Sequence, residues 1–192
     1  MGSLEQIEQR VKELYEAKDP GRADWADWLY DHHVSVVADK AAQLAKRFDA
    51  NVELSRAAGL LHDVADVKMP RSAHHEAESL KMARELLEQA GFTDAEIRLV
   101  VDDAIARHSC HGEVRPHSLE GKVLATADAL AHLQTDFYLQ AIWFFADEMP
   151  LTDIKAWTLT KLERDFNNKI LFEPVKAEAR ADYELLKQLF SR

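Results

Sequence analysis

Five residues whose side chains can bind metal ions interrupt otherwise apolar helix faces. They are His33, His62, Asp63, His108 and Asp128. The first of them lies four residues after Leu29 and four before Val37, so it shares their face of a helix. Buried carboxylates are rare unless they are paired or bound to a metal. Three core-facing histidines and two core-facing carboxylates on separate helices therefore predict one shared site.

Imidazole and carboxylate groups together suit a divalent transition metal such as Mn, Fe, Co, Ni or Zn, and Mg is also an option. The single cysteine, Cys110, excludes a cysteine-rich structural zinc site. A mixed His and Asp set leaves coordination positions for water or substrate. A metal there lowers the pKa of bound water towards neutrality and polarises a phosphoryl oxygen. The pattern favours hydrolysis, with one ion expected and two allowed.

The elements that must position these residues are predicted to be α-helices. The 6 glycines and 5 prolines fall at boundaries, and apolar residues recur at intervals of three and four. Residues 93–96 (TDAE) predict a capping box, and Gly91 predicts a helix C-cap. We expect an all-α protein with helices near 4–17, 24–48, 52–64, 73–90, 94–105, 119–133, 137–145, 152–168 and 174–190.

Composition limits the classes of partner. The net charge of −10, from 24 Lys and Arg against 34 Asp and Glu, argues against a partner that is a nucleic-acid polymer. It does not exclude a small phosphate, because a metal supplies local positive charge. No apolar run reaches the ~20 residues of a membrane helix, and the N-terminus lacks a secretory apolar region. We expect a cytoplasmic protein without a membrane partner, which could form a homodimer through an apolar surface of 142–145.

Three segments resemble the H…HD…D signature of the HD-domain metal-dependent phosphohydrolases. They are residues 33–37 (HVSVV), 60–63 (LLHD) and 125–130 (ATADAL), and the resemblance covers roughly residues 25–133. It implies a helical bundle in which His33, His62, Asp63 and Asp128 bind one divalent metal. It also implies an N-terminal helix over 1–23, the metal-binding core over 24–135, and a C-terminal helical extension of the same domain over 136–192.

Two further segments resemble a common HD subgroup. Residues 75–79 (HEAES) resemble its H-x-x-x-S helix start, and residues 105–109 (IARHS) resemble its I-x-x-H-S segment. The resemblance implies that His75 and His108 hold a second metal or contact the phosphate of a substrate.

Candidate catalytic groups follow the His-Asp pair. Asp66 stands one helical turn after Asp63, and nucleotidase-like members have an acidic residue there that positions the attacking water. The resemblance thus implies catalytic roles for Asp66 and Asp63. Lys68 and Arg71 follow on the exit loop, where we expect them to bind phosphate oxygens.

Departures from the family pattern narrow the expected function. Residues 66–67 (DV) replace the Glu-Asp of guanosine-tetraphosphate hydrolases, and Ala131 stands where many small HD hydrolases have a second Asp. We expect a metal-dependent phosphohydrolase whose substrate is a nucleotide or another small phosphorylated metabolite. The alternative is a regulatory module that binds a metal or nucleotide without turnover.

One choice between neighbouring histidines is open in the sequence, and several aromatic residues remain to be assigned. His32 competes with His33 for the metal, and the H-x-x-x-V register favours His33. Trp25, Trp28 and the 142–145 run are expected to pack in the interior.

Overall fold

The computed structural model describes residues 2–68 and 75–191, and for His75 the backbone alone. Within these ranges the chain is helical, and no strand occurs. The elements are α1 (Leu4–Glu16); α2 (Ala26–Leu29, a π-helical turn at Tyr30–Val34, and Ser35–Arg47); α3 (Val52–Leu61) with a 3₁₀ turn (Val64–Val67); α4 (His75–Gln89); α5 (Asp94–Ile97 and a π-helical segment, Arg98–Ile105); α6 (Leu119–Gln134); α7 (Phe137–Phe145); α8 (Leu151–Arg164 and a π-helical turn, Asp165–Lys169); α9 (Glu173–Glu178); and α10 (Arg180–Phe190). The all-α expectation is confirmed.

Helix ends in the described ranges follow the predicted capping signals. Thr93 accepts a hydrogen bond from the backbone N–H of Glu96, whose side chain returns one to the Thr93 N–H. This is the predicted capping box. Gly91 has φ of +80°, the left-handed conformation that favours glycine at a helix C-terminus. The glycine C-cap therefore marks the end of α4, and the capping box marks the start of α5.

Helix α6 is the central helix of the bundle. Every residue from 123 to 133 is buried, as expected for a helix surrounded by others. Helices α2 and α3 pack against it and against each other. The backbones of α2 and α3 come close at Gly59, where a Cβ atom would stand 2.7 Å from the Cα of Ala38. The glycine therefore permits close packing of α3 on α2, which brings their two histidines together.

The C-terminal helices share the same apolar core. Leu162, Phe166, Ile170, Tyr183 and Phe190 are buried in the cluster that holds the side chains of α2, α3 and α6. In the described part of the chain, no helix combines the length and apolarity that a membrane span requires.

Candidate metal centre

His33 is held in the interior by a π-helical turn of α2. The turn, Tyr30–Val34, adds a residue to one helical turn and is a rare conformation that often occurs at functional sites. The His33 side chain is 1% exposed, whereas that of His32 is 52% exposed and lies 3.2 Å from the carboxylate of Asp136. The structure thus brings His33, rather than its neighbour, into the site.

His62 and Asp63 are placed at the end of α3. The helix ends at Leu61, and Asp63 leaves helical geometry with φ of −122° and ψ of +30°. The ring Nδ1 of His62 lies 2.8 Å from the carbonyl oxygen of Gly59. Because a carbonyl can only accept, Nδ1 donates to it and Nε2 faces the site, where loss of its proton would let it bind a metal.

Four of the expected ligand side chains converge. His33 Nε2 lies 3.1 Å from His62 Nε2, 3.7 Å from Asp63 Oδ2 and 3.5 Å from Asp128 Oδ1. His62 Nε2 lies 3.3 Å from Asp63 Oδ2 and 3.9 Å from Asp128 Oδ1. Neighbouring ligands about 2.1 Å from one ion stand about 3.0 to 3.4 Å apart. The separations of 3.1 and 3.3 Å lie in this range and the other three exceed it by up to about 0.5 Å, so the cluster is close to the size of the coordination shell of a divalent ion.

The surroundings of Asp128 also suit a cation. Its Oδ1 is buried and makes no hydrogen bond of good geometry among the described residues, with the imidazole nitrogens of His132 and His33 at 3.1 and 3.5 Å. A buried carboxylate oxygen is stabilised by a cation that it can bind. The donor set, two imidazoles and two carboxylates, matches the preferences of first-row transition metals.

The electrostatics of the cluster attract a cation. Burial would raise the pKa of Asp63, but the rings of His62 and His33 hold it well below its usual range, so the carboxylate is ionised. Burial would lower the pKa of His62, but the carboxylates of Asp63 and Asp128 raise it to about 9. The two carboxylates thus impose a negative potential that a divalent ion can neutralise.

His108 lies beside this cluster. Its Nδ1 donates to the carbonyl oxygen of Ile105 at 2.7 Å, which leaves Nε2 4.0 Å from Asp63 Oδ1. Burial lowers the pKa of His108 to about 4, so the ring is neutral. Donor atoms of His62, His108 and Asp128 lie within 4.8 Å of one another and form a second group that could hold an ion.

Sequence reasoning missed a buried polar network behind Asp128. His132, one turn further along α6, places Nε2 3.1 Å from Asp128 Oδ1 and Nδ1 2.9 Å from Asp165 Oδ2. Lys169 forms an ion pair with Asp128 in which both residues are 2% exposed. The D-x-x-x-H spacing on α6 was a signal for His132. Asp165 and Lys169, in the π turn of α8, are distant in sequence, and no local pattern connects them to this network.

Asp165 anchors this network. It accepts hydrogen bonds from the Tyr138 hydroxyl at 2.7 Å and from Lys161 at 3.1 Å. Burial would raise its pKa, but Lys161 and His132 lower it below its usual range. Burial also lowers the pKa of His132, to about 3, which keeps its ring neutral. The network fixes the face of α6 that carries Asp128.

A cavity of about 320 Å³ opens beside the cluster. Its polar lining includes Asp66, as expected of a group near the attacking water, and His108. The expected phosphate-binding residue Lys68 is not in this lining. It is exposed and pairs with Asp19 at 3.2 Å.

Other basic groups of the cavity come from α8. Lys161, Arg164 and Lys169 line it, and Arg164 Nε is buried with no hydrogen-bond partner in the described ranges. Arg71 and the side chain of His75 lie outside the described residues. The C-terminal extension therefore supplies cationic side chains that the sequence prediction assigned to the loop after α3.

The aromatic side chains were also placed differently from expectation. Trp25, Trp28, Phe144 and Phe145 line the cavity and are only partly buried, although the sequence prediction had them packed in the interior. Cys110 is buried, as expected of a small residue in a loop. Trp143, by contrast, points outward and is 76% exposed.

Comparison with known proteins supports the fold. Ribonuclease Y of Rubrobacter xylanophilus is 34% identical over 112 residues, which cover 57% of this chain and 19% of that protein. Ribonuclease Y of Pseudothermotoga lettingae is 24% identical over 180 residues, which cover 88% of this chain and 33% of that protein. The chain thus spans a fifth to a third of the length of these relatives.

Solved structures share the architecture. Bacillus subtilis YpgQ, determined in complex with ADP, superimposes with a TM-score of 0.70 at 23% identity, covering 98% of this chain and 91% of YpgQ. An HD-superfamily hydrolase from Bacillus thuringiensis superimposes with a TM-score of 0.68 at 23% identity. The match covers 98% of this chain and 93% of that one. The family model for the HD domain matches residues 30–133, more than half of the chain, and confirms the resemblance noted in the sequence. The chain belongs to the HD domain family.

Proposed function

We propose that this protein is a metal-dependent phosphohydrolase whose substrate is a small phosphorylated metabolite, with nucleotides as the favoured class. His33, His62, Asp63 and Asp128 would bind one divalent transition metal. The observation that carries the proposal is the approach of two buried imidazoles to two carboxylates, since Nε2 of His33 and of His62 each lies within 4.0 Å of an oxygen of Asp63 and of Asp128. Such a metal lowers the pKa of bound water and stabilises developing charge on a phosphoryl oxygen.

The chain's own residues position this chemistry. The Gly59 carbonyl fixes the ring of His62, so that Nε2 faces the site. Asp66 lines the cavity three residues after Asp63, on the 3₁₀ turn that follows α3. We assign Asp66 to orienting the attacking water or accepting its proton, a role that requires hydrogen-bond reach of that water.

Phosphate oxygens would be held by the cationic side of the cavity. Arg164 offers a buried Nε with no partner in the described ranges, and guanidinium groups bind phosphate through charge-assisted hydrogen bonds. His108 lines the same cavity, and so does Lys161, whose ammonium group also donates to Asp165 at 3.1 Å. Lys169 is engaged with Asp128, so we assign it to holding that carboxylate in place rather than to the substrate.

Several facts favour a nucleotide. The cavity combines cationic and aromatic walls, which suit phosphate and an aromatic ring respectively. The structurally similar YpgQ was determined with ADP. The relatives named ribonuclease Y raise RNA as another substrate, but the net charge of −10 disfavours binding of a long polyanion.

The first experiment is metal content by plasma mass spectrometry on tag-free protein prepared without chelators. The wild type is compared with Asp63→Ala and with His32→Ala, which removes a half-exposed histidine next to a proposed ligand. We expect one or two transition ions per chain in the wild type and His32→Ala, and loss of metal in Asp63→Ala. Release of phosphate from nucleotides is then measured with the metal found.

The outcomes separate the alternatives. Metal and turnover that are lost together in Asp63→Ala support the phosphohydrolase. Metal and nucleotide binding without product release would favour the regulatory module. A wild type that is folded but binds none of Mn, Fe, Co, Ni or Zn would refute the metal centre.

A further inference from the structure

An aromatic recess forms part of the wall of the cavity. Trp28 of α2, Phe145 of α7 and Trp157 of α8 line it, and each remains partly exposed. Large apolar rings that line a concave site without being fully packed are typical of ligand-binding surfaces. Nothing in the chemistry assigned to the metal centre uses these rings.

The rings are held in fixed positions. The indole N–H of Trp28 donates to the carboxylate of Asp136, at 3.1 and 3.2 Å. Phe145 meets Trp157 edge to face, with ring centroids 5.0 Å apart and planes at 73°. Such contacts restrict ring rotation before a ligand binds, which lowers the entropic cost of binding.

The recess and the cations share one face of α8. Trp157, Lys161 and Arg164 follow one another at intervals of four and three residues, and all three line the cavity. Along the helix axis, Trp157 lies about 6 Å from Lys161 and about 10 Å from Arg164. Further along, Lys169 reaches Asp128 at the metal cluster. Along α8 the aromatic ring therefore comes first, the phosphate-binding cations come next, and the residue that reaches the metal centre comes last.

We propose that Trp157, with Phe145 and Trp28, forms the subsite that stacks on the base of a nucleoside phosphate whose phosphates reach the metal centre. This proposal rests on the proposed function and names the part of the substrate that sets specificity. A nucleotide has the same order of groups as the α8 face, with the base at one end and the phosphates at the other. Ring stacking tolerates different bases, so affinity depends more on the presence of a base than on its identity.

Binding measurements test the subsite without requiring turnover. Metal-loaded protein is titrated with ADP and with tripolyphosphate, which lacks a base, by isothermal titration calorimetry. We expect Trp157→Leu to weaken ADP binding roughly 5- to 100-fold and to leave tripolyphosphate binding unchanged. Trp157→Phe should retain most of the ADP affinity because it keeps a ring face.

Trp143→Leu is the matched control, since this exposed tryptophan of α7 is not part of the cavity lining. ADP should quench tryptophan fluorescence in this variant, with less quenching in Trp157→Leu.

Unchanged ADP affinity in Trp157→Leu would overturn the subsite, and so would equal weakening of ADP and tripolyphosphate binding. Absence of ADP binding to the wild type would also overturn it. Failure of the proposed function is a separate result, namely ADP binding without release of phosphate with any metal.

Discussion

Replacing Lys169 with methionine tests the buried network behind the metal centre. The substitution removes the cation that pairs with Asp128 and keeps a side chain of similar length. Both residues are 2% exposed, so the carboxylate would lose its cationic partner at a largely buried position. Burial would otherwise raise the pKa of Asp128, and His132 and Lys169 hold it well below its usual range.

The expected loss is large because the pair is desolvated. Removing one partner of a buried ion pair costs about 3 to 5 kcal/mol. For a domain of this size each kcal/mol lowers the melting temperature by about 2 to 4 °C, so metal-free Lys169→Met should melt about 6 to 20 °C below the wild type. A divalent ion bound to Asp128 would supply the missing positive charge. The difference should therefore shrink when metal saturates the protein.

Thermal unfolding followed by circular dichroism, with chelator and then with saturating Mn²⁺, measures both effects. The control is Lys187→Met, which breaks a surface ion pair with Glu163 at 2.6 Å. Solvent already screens that pair, so the control should melt close to the wild type. If metal-free Lys169→Met melts at the same temperature as the control, the buried pair does not stabilise the fold. If added metal does not narrow the difference, Asp128 is not a ligand.

Two further predictions concern the scaffold. Gly59→Ala should destabilise the protein by about 1 to 3 kcal/mol in chemical denaturation and weaken metal binding, because its Cβ would meet the Ala38 backbone at 2.7 Å. Gly21→Ala, whose Cβ would meet no atom closer than 4.0 Å, should change neither. Burial would raise the pKa of Asp165, but Lys161 and other partners lower it. The ionised carboxylate therefore stabilises the fold above the unfolded-state pKa of about 3.9. This contribution is lost as pH falls through the lower pKa of the folded state. In Asp165→Asn, the free energy of unfolding should therefore fall less steeply with decreasing pH than in the wild type. The same slope in both proteins would refute this prediction.

The helices could be predicted, and candidate metal-site residues selected, because the signals for both are local. Apolar spacing, the capping box at Thr93 and the C-cap at Gly91 act within a few residues, and the structure reproduces them. His33 was distinguished from His32 by helical register alone. Polar residues on an apolar helix face must have partners, so the pattern also indicated that His62, Asp63 and Asp128 meet.

The surroundings of the site depend on contacts between distant parts of the chain. Lys169 lies 41 residues from Asp128, and a helical turn gives no information about which helix will pack beside it. Position in a loop likewise does not fix the direction of a flexible side chain: Lys68 pairs with Asp19, and its phosphate-binding role stays a prediction. Trp28 and Phe145 look like core residues in sequence, because apolarity alone does not distinguish a packed ring from one that lines a cavity.

The sequence by itself therefore determined the helical class and the family, since each depends on local periodicity or on residue type, and on the same grounds it predicted which residues form the metal cluster. Only the tertiary structure decided which cations and rings surround the cluster. That selection depends on how α7 and α8 pack against α2 and α6, and packing is a property of the assembled core rather than of any single segment.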